Sequence, residues 1–230
     1  MTKFKDIEHI FFDLDHTLWD FDRNSRLAFA DIFQKNKIDV AIDDFLEAYE
    51  PINFQYWKYY RESRITKEQL RYGRLKNSFK AIGVSIDDYL IDRLSVDYID
   101  YLPKHNYLFD GAVEQLEDLH KRFKLHIITN GFQEVQQLKL QNSKIDHYFK
   151  TVTSSESVGV KKPDSKIFLH AMDQAAAVPG NSLMIGDNYE ADIEGALNVG
   201  MRSICFNYHK TDLPPAIHKI DFLSEISRYL

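Results

Sequence analysis

Ile10-Phe11-Phe12-Asp13-Leu14-Asp15-His16-Thr17-Leu18 is an apolar run that ends in two carboxylates spaced i, i+2, with a hydroxyl two residues further on. The aromatic and aliphatic residues before Asp13 read as a strand over 9–14 that is buried on both faces. On an extended strand, residues i and i+2 share a face, which aims Asp13 and Asp15 into one site. Adjacent carboxylates repel unless a cation or a shared proton offsets them. Such a pair at the tip of a buried strand calls for a metal ion, for acid–base chemistry, or for both.

Similar apolar segments recur at 124–129, 182–186 and 202–206, with a weaker one around 151–153. Helical patterns lie between the later ones, over 110–121, 133–142, 164–176 and 190–199. Strands alternating with helices of this length predict βαβ units, a parallel sheet covered on both faces and right-handed crossovers. The stretch 21–102 differs, with no convincing strand and apolar and aromatic residues at helical spacing: Phe45, Tyr49, Ile52, Tyr56 and Tyr59, then Leu90, Leu94, Tyr98 and Tyr101. Thr66-Lys67-Glu68-Gln69 has the form of a capping box, Ser85 is a candidate N-cap, and Pro51 is expected to kink or split its helix. Arg61, Arg64, Arg71 and Arg74 read as solvated charges. The expected architecture is α/β: a Rossmann-like parallel sheet core formed by 1–19 and 103–230, with an inserted all-helical cap over 20–102. Open sheets of this kind bind ligands beyond the carboxyl ends of their strands.

The bulk properties narrow the function classes. The chain has 230 residues, a net charge of −6, 44% hydrophobic and 28% charged residues. That balance argues against a surface built to neutralise nucleic-acid phosphates, so no nucleic-acid partner is expected. It leaves small phosphorylated ligands open, since local charge binds them. No apolar run reaches membrane-spanning length and the first residues carry no apolar leader core, so a cytoplasmic protein without a membrane partner is expected. The lone Cys205 has no partner for an internal disulfide and reads as a small buried residue.

Each core strand ends in groups useful to chemistry. Thr129-Asn130-Gly131 runs into a helix and offers a hydroxyl and backbone N–H groups suited to an anion, or to an ordinary helix cap. Lys162, ahead of Pro163 and a helix whose first turn Pro163 fits, is better placed than Lys161. Gly186-Asp187 ends another strand, and Asp192 falls in the first turn of the next helix.

In that order, Asp13-Leu14-Asp15-His16-Thr17, Thr129-Asn130-Gly131, Lys162-Pro163 and Gly186-Asp187 followed by Asp192 resemble the four motifs of the haloacid dehalogenase-like hydrolases. The insert resembles the C1-type cap of that superfamily. The resemblance implies an aspartyl-phosphate mechanism, with Asp13 as nucleophile, Asp15 as acid and base, and Lys162 balancing charge. It implies Mg²⁺ on Asp13, Asp187 and the Asp15 carbonyl, and phosphoryl oxygens on Thr129, Asn130 and Gly131. Asp192 and Thr17 take supporting positions, Asp192 orienting Lys162 or a metal-bound water. The presence of Asp15 favours phosphoryl transfer over dehalogenation.

Within the superfamily the chain looks most like bacterial pyrimidine 5′-nucleotidases, which implies a nucleotide as the small phosphorylated partner and a monomer or homodimer. The alternatives are a phosphatase of phosphoglycolate or sugar phosphates, a phosphomutase resembling β-phosphoglucomutase, and a catalytically silent binding module.

Overall fold

The computed structural model describes residues 3–230. The chain divides into two compact units, one running to Phe21 and resuming at Asn106, the other spanning Asp22–His105. The first is built on a six-stranded sheet in the order β3-β2-β1-β4-β5-β6, every neighbouring pair parallel. Its strands are β1 (His9–Phe12), β2 (Lys124–Thr129), β3 (Phe149–Ser154), β4 (Ser182–Gly186), β5 (Arg202–Phe206) and β6 (Lys219–Ile220). All four residues of β1 are buried, as a central parallel strand requires. Phe12 pairs with Ile127 on one side and Ile185 on the other. The strand order reverses between β1 and β4, the topological switch point at which such sheets bind ligands beyond their carboxyl ends.

The second unit carries α1 (Phe21–Asn36) from its second residue on, with α2 (Ile42–Arg61), α3 (Lys67–Ala81) and α4 (Asp88–Tyr101). Its core is aromatic: the Phe29 ring lies 4.9 Å from Phe45, 4.7 Å from Tyr49 and 4.5 Å from Tyr98. Arg74 is a correction to the reading of its charge as solvated. It is buried, donates to Asn53 Oδ1 at 2.8 Å and lies 4.9 Å from the Tyr98 ring centre, so a polar acceptor and an aromatic face replace water. Pro51 neither splits nor ends α2. It lies on the exposed face, where water can reach the freed Glu47 carbonyl, while Phe45, Leu46, Tyr49, Asn53 and Tyr60 bury both halves of the helix. The Thr66–Gln69 capping box forms as expected. Asp87 replaces Ser85 as the N-cap of α4, its carboxylate accepting from Leu90 N at 2.8 Å.

Around the sheet lie α5 (Ala112–Leu119), α6 (Gln133–Asn142), α7 (Ser155–Val158), α8 (Ser165–Ala175) and α9 (Gly195–Asn198), with a π-helical turn over Tyr189–Glu194 before α9. The Ile167, Phe168, Ala171 and Met172 stripe of α8 packs on Phe11, Ile128 and Met184 of three neighbouring strands. The larger of these side chains, such as Ile167, Phe168 and Met172, each contribute on the order of 1.5–3 kcal/mol by leaving water. Asp164 caps α8, which places Pro163 ahead of the helix and outside its first turn. Cys205 is fully buried in β5, and burial with the nearby Asp187 and Asp192 charges pushes its thiol up to about 12. Among the described residues, no helix is long and apolar enough to cross a membrane.

Candidate active site

β1 ends one residue before Asp13, whose N–H donates to Ile185 O of β4 at 2.9 Å. That bond fixes Asp13 at the switch point. Lys162 Nζ lies 2.6 Å from Asp13 Oδ1 and 2.6 Å from Asp192 Oδ1, and also donates to Ile128 O at 2.7 Å. The lysine is 1% exposed. Burial works against its charge, but Asp13 and Asp192 outweigh burial and raise its pKa. Burial pushes the Asp13 carboxyl well above the ordinary range, with Lys162 opposing and Asp192 and Asp187 reinforcing. Asp192 is raised as well, again chiefly by burial.

Asp187 follows β4 and accepts from Thr17 Oγ1 at 3.2 Å on Oδ1 and from His209 Nε2 at 3.1 Å on Oδ2. Burial alone would raise its carboxyl, but the His209 hydrogen bond and the His16, His209 and Lys162 charges hold it below the usual range. Asp192 reaches the cluster from the π-helical turn, with Oδ2 accepting from Asn188 N at 3.0 Å. Gly186 makes room for it: a Cβ at that position would lie 2.4 Å from Asp192 Oδ2.

Asp15 takes a different course. β1 ends at Phe12, and the N–H groups of Leu18 and Trp19 both donate to Leu14 O, so Asp15 lies in the turn that follows the strand. Asp15 Oδ1 instead meets Lys139 Nζ at 2.5 Å, and Oδ2 accepts from Gln136 Nε2 at 2.9 Å. Gln136 Nε2 also donates to Thr129 Oγ1 at 2.8 Å. Gly131 N donates to the same hydroxyl at 3.0 Å, and a Cβ on Gly131 would lie 2.4 Å from Gln136 Cδ. The Asn130 side chain clamps the Lys162 backbone, Nδ2 donating to Lys162 O at 3.0 Å and Oδ1 accepting from Lys162 N at 2.8 Å. The structure thus brings Asp13, Lys162, Asp187, Asp192 and Thr17 into one contact network. Thr129, Gly131 and Asp15 form a neighbouring network joined through Gln136.

Asp13, Asp187 and Asp192 each offer an oxygen, and the three lie within 4.8 Å of one another. One lysine faces three carboxylates, a charge imbalance that a divalent cation removes. An all-oxygen donor set suits a hard cation, so the residues present fit one. Sequence reading missed Gln136, Lys139, His16 and His209. The first two carried a signal: Phe132, Val135, Gln136, Lys139 and Leu140 are all buried and recur at helical spacing. A glutamine and a lysine in an otherwise apolar stripe need buried partners. The two histidines sit in loops and carried none.

This arrangement is consistent with the comparisons to known proteins. The haloacid dehalogenase-like hydrolase family model matches residues 10–206. Pyrimidine 5′-nucleotidase YjjG of Escherichia coli (strain K12) is 34% identical over 210 residues, covering 90% of this chain and 89% of that protein. Pyrimidine 5′-nucleotidase PynA of Streptococcus pneumoniae is 32% identical over 203 residues, covering 87% and 84%. Among solved structures, the putative HAD-hydrolase YfnB of Bacillus subtilis, bound to magnesium, superposes with a TM-score of 0.88 at 28% identity, covering 97% of this chain and 98% of that one. With its motif-bearing strand ends and a family match over most of its length, the chain is a hydrolase and belongs to the haloacid dehalogenase-like hydrolase family.

Proposed function

We propose that the protein is a Mg²⁺-dependent phosphomonoester hydrolase that works through an aspartyl-phosphate and acts on pyrimidine nucleoside 5′-monophosphates. The observation that carries the chemistry is the buried Lys162 bridge between Asp13 and Asp192, beside Asp187, at the carboxyl end of the central strand. The substrate class is supported by the two nucleotidases that align with most of the chain.

In this reading Asp13 attacks phosphorus in line, forming its O–P bond as the ester P–O bond breaks, and Asp15 gives its proton to the departing oxygen. A water then attacks the phosphorus of the aspartyl-phosphate, Asp15 takes the water's proton, and Asp13 and inorganic phosphate are released. Gln136 and Lys139 hold the two Asp15 oxygens and so fix the carboxyl plane from which the proton passes. Lys162 stays charged between Asp13 and Asp192 and offsets the negative charge of the transferring group. Thr129 presents its hydroxyl beside Asp15 through Gln136. Asp13, Asp187 and the Asp15 carbonyl would hold Mg²⁺, with Asp192 adjoining, and a bound ion would supply electrostatic stabilisation to the phosphoryl oxygens.

The test is a Mg²⁺ phosphate-release screen over pyrimidine and purine 5′-monophosphates, sugar phosphates and phosphoglycolate. The highest kcat/KM is expected on pyrimidine nucleotides, with activity lost in EDTA. A higher value on a sugar phosphate or phosphoglycolate would reassign the substrate, and isomerised sugar phosphate in place of free phosphate would make the protein a mutase.

A further inference from the structure

Asp187 also belongs to a second set of ligating groups, whose two histidines the hydrolytic reading leaves unused. His16, Asp187 and His209 each offer one ligand atom, all within 4.8 Å of one another. His209 Nε2 lies 3.1 Å from Asp187 Oδ2. Two ligands on one ion, at bond lengths of about 2.1 Å and angles near those of octahedral or tetrahedral coordination, stand about 3.0–3.4 Å apart. Packing holds both rings in place. The His16 ring stacks on Tyr208 at 5.6 Å and leans on Phe21 at 4.9 Å. His209 meets Tyr208 at 5.0 Å and His16 edge-on at 5.0 Å. His16 also sits at φ 60°, in the left-handed region that residues with a Cβ avoid, with its N–H donating to Trp19 O. Such a conformation persists only where the surroundings impose it.

We propose that His16, His209 and Asp187 form a second cation site, adjoining the all-carboxylate cluster, sharing Asp187 with it, and suited to Zn²⁺, Co²⁺ or Ni²⁺. Two imidazoles and one carboxylate are borderline donors that favour these ions over Mg²⁺, which prefers oxygen. His209 is exposed and His16 half-buried, so the site is open to an ion from solution. To ligate, His209 presents a bare Nε2 and carries its proton on Nδ1, and the hydrogen bond to Asp187 Oδ2 is replaced by two bonds to the ion. An ion seated there occupies one oxygen of a carboxylate that the adjoining cluster also needs.

The experiment needs no turnover, so it stands apart from the hydrolase reading. The protein, kept in excess Mg²⁺ to fill the carboxylate site, is titrated with CoCl₂ and followed by visible absorption and calorimetry. One equivalent of Co²⁺ is expected to bind with the spectrum of a mixed nitrogen and oxygen site. His16→Gln and His209→Gln should each weaken that binding by about tenfold or more, since losing a direct ligand costs at least as much as losing its support. Titration with ZnCl₂, read by ¹⁵N NMR of the imidazoles, should move the ring nitrogens of two of the nine histidines. Co²⁺ affinity and spectrum unchanged in both variants, or no ring nitrogen responding to Zn²⁺, overturns the proposal. If one variant fails to fold, the other variant and the NMR arm still decide it.

Discussion

Lys139 Nζ, from the last turn of α6, lies 2.5 Å from Asp15 Oδ1, and the lysine side chain is 2% exposed. The ammonium also sits 4.2 Å from the Trp19 ring and 5.3 Å from the Phe21 ring. A buried cation enclosed by two aromatic faces has few other places to go, so Asp15 is held from α6 and not by the carboxylate cluster. Lys139→Met should leave Asp15 free to reorient. A misplacement of about 1 Å in a reacting group costs about 10²-fold in rate. The expected result is therefore a kcat loss of that order with KM little changed, read from steady-state phosphate release. An unaltered kcat would remove Lys139 from the mechanism.

Lys162→Met tests the other cation. Removing one member of a buried, hydrogen-bonded charge network costs about 3–5 kcal/mol, because Asp13 and Asp192 are left facing each other. The urea midpoint should fall accordingly, and Mg²⁺ should recover part of the loss by binding only the folded state. A midpoint equal to that of the unaltered protein would mean that the three-carboxylate cluster is not strained without the lysine.

Gly186→Ala places a methyl group 2.4 Å from Asp192 Oδ2, where no contact of that length is tolerated. Either Asp192 or the end of β4 must move, at a cost of about 1–3 kcal/mol typical of overpacking. Weaker Mg²⁺ affinity by calorimetry is expected alongside the lower melting temperature. Unchanged affinity would show that Asp192 stands apart from the cation.

The sheet itself carries a pH dependence. His9 Nδ1 meets His126 Nε2 at 3.1 Å, and His126 Nδ1 meets Thr151 Oγ1 at 2.8 Å, across three neighbouring strands. Burial, then the His9 and Lys124 charges, lower His126 from 6.5 to about 4, and burial lowers His9 as well. A histidine with a depressed folded-state pKa binds its proton more tightly when unfolded. Its stabilising contribution is therefore complete above about pH 6.5 and lost as the pH falls toward about 4. The urea midpoint should drop through that window, and His126→Gln should flatten the drop. A midpoint independent of pH there contradicts the assignment.

What could be read from the chain alone was what is local. The apolar run before Asp13, the ends of β2 and β4, and the helix starts near Gln133 and Ser165 follow from periodicity and capping within a few residues. Long-range partnership could not be read this way. Asp15 finds its cation on α6, more than a hundred positions later, a partnership that no local pattern around Asp15 encodes. β6 is two residues long and is held in the sheet by pairing with β5, so it has no hydrophobic pattern of its own. The π-helical turn that delivers Asp192 differs from an α-helix by hydrogen-bond register, which composition does not encode.

The central claim is that Asp13 carries the phosphoryl group. The most direct measurement is mass spectrometry of the peptide containing Asp13, acid-quenched during turnover of a pyrimidine 5′-monophosphate with Mg²⁺. The account predicts one phosphoryl group on Asp13, absent before substrate is added, with phosphate release abolished in Asp13→Asn. Undiminished phosphate release by that variant, or a phosphoryl group on another residue, would contradict it.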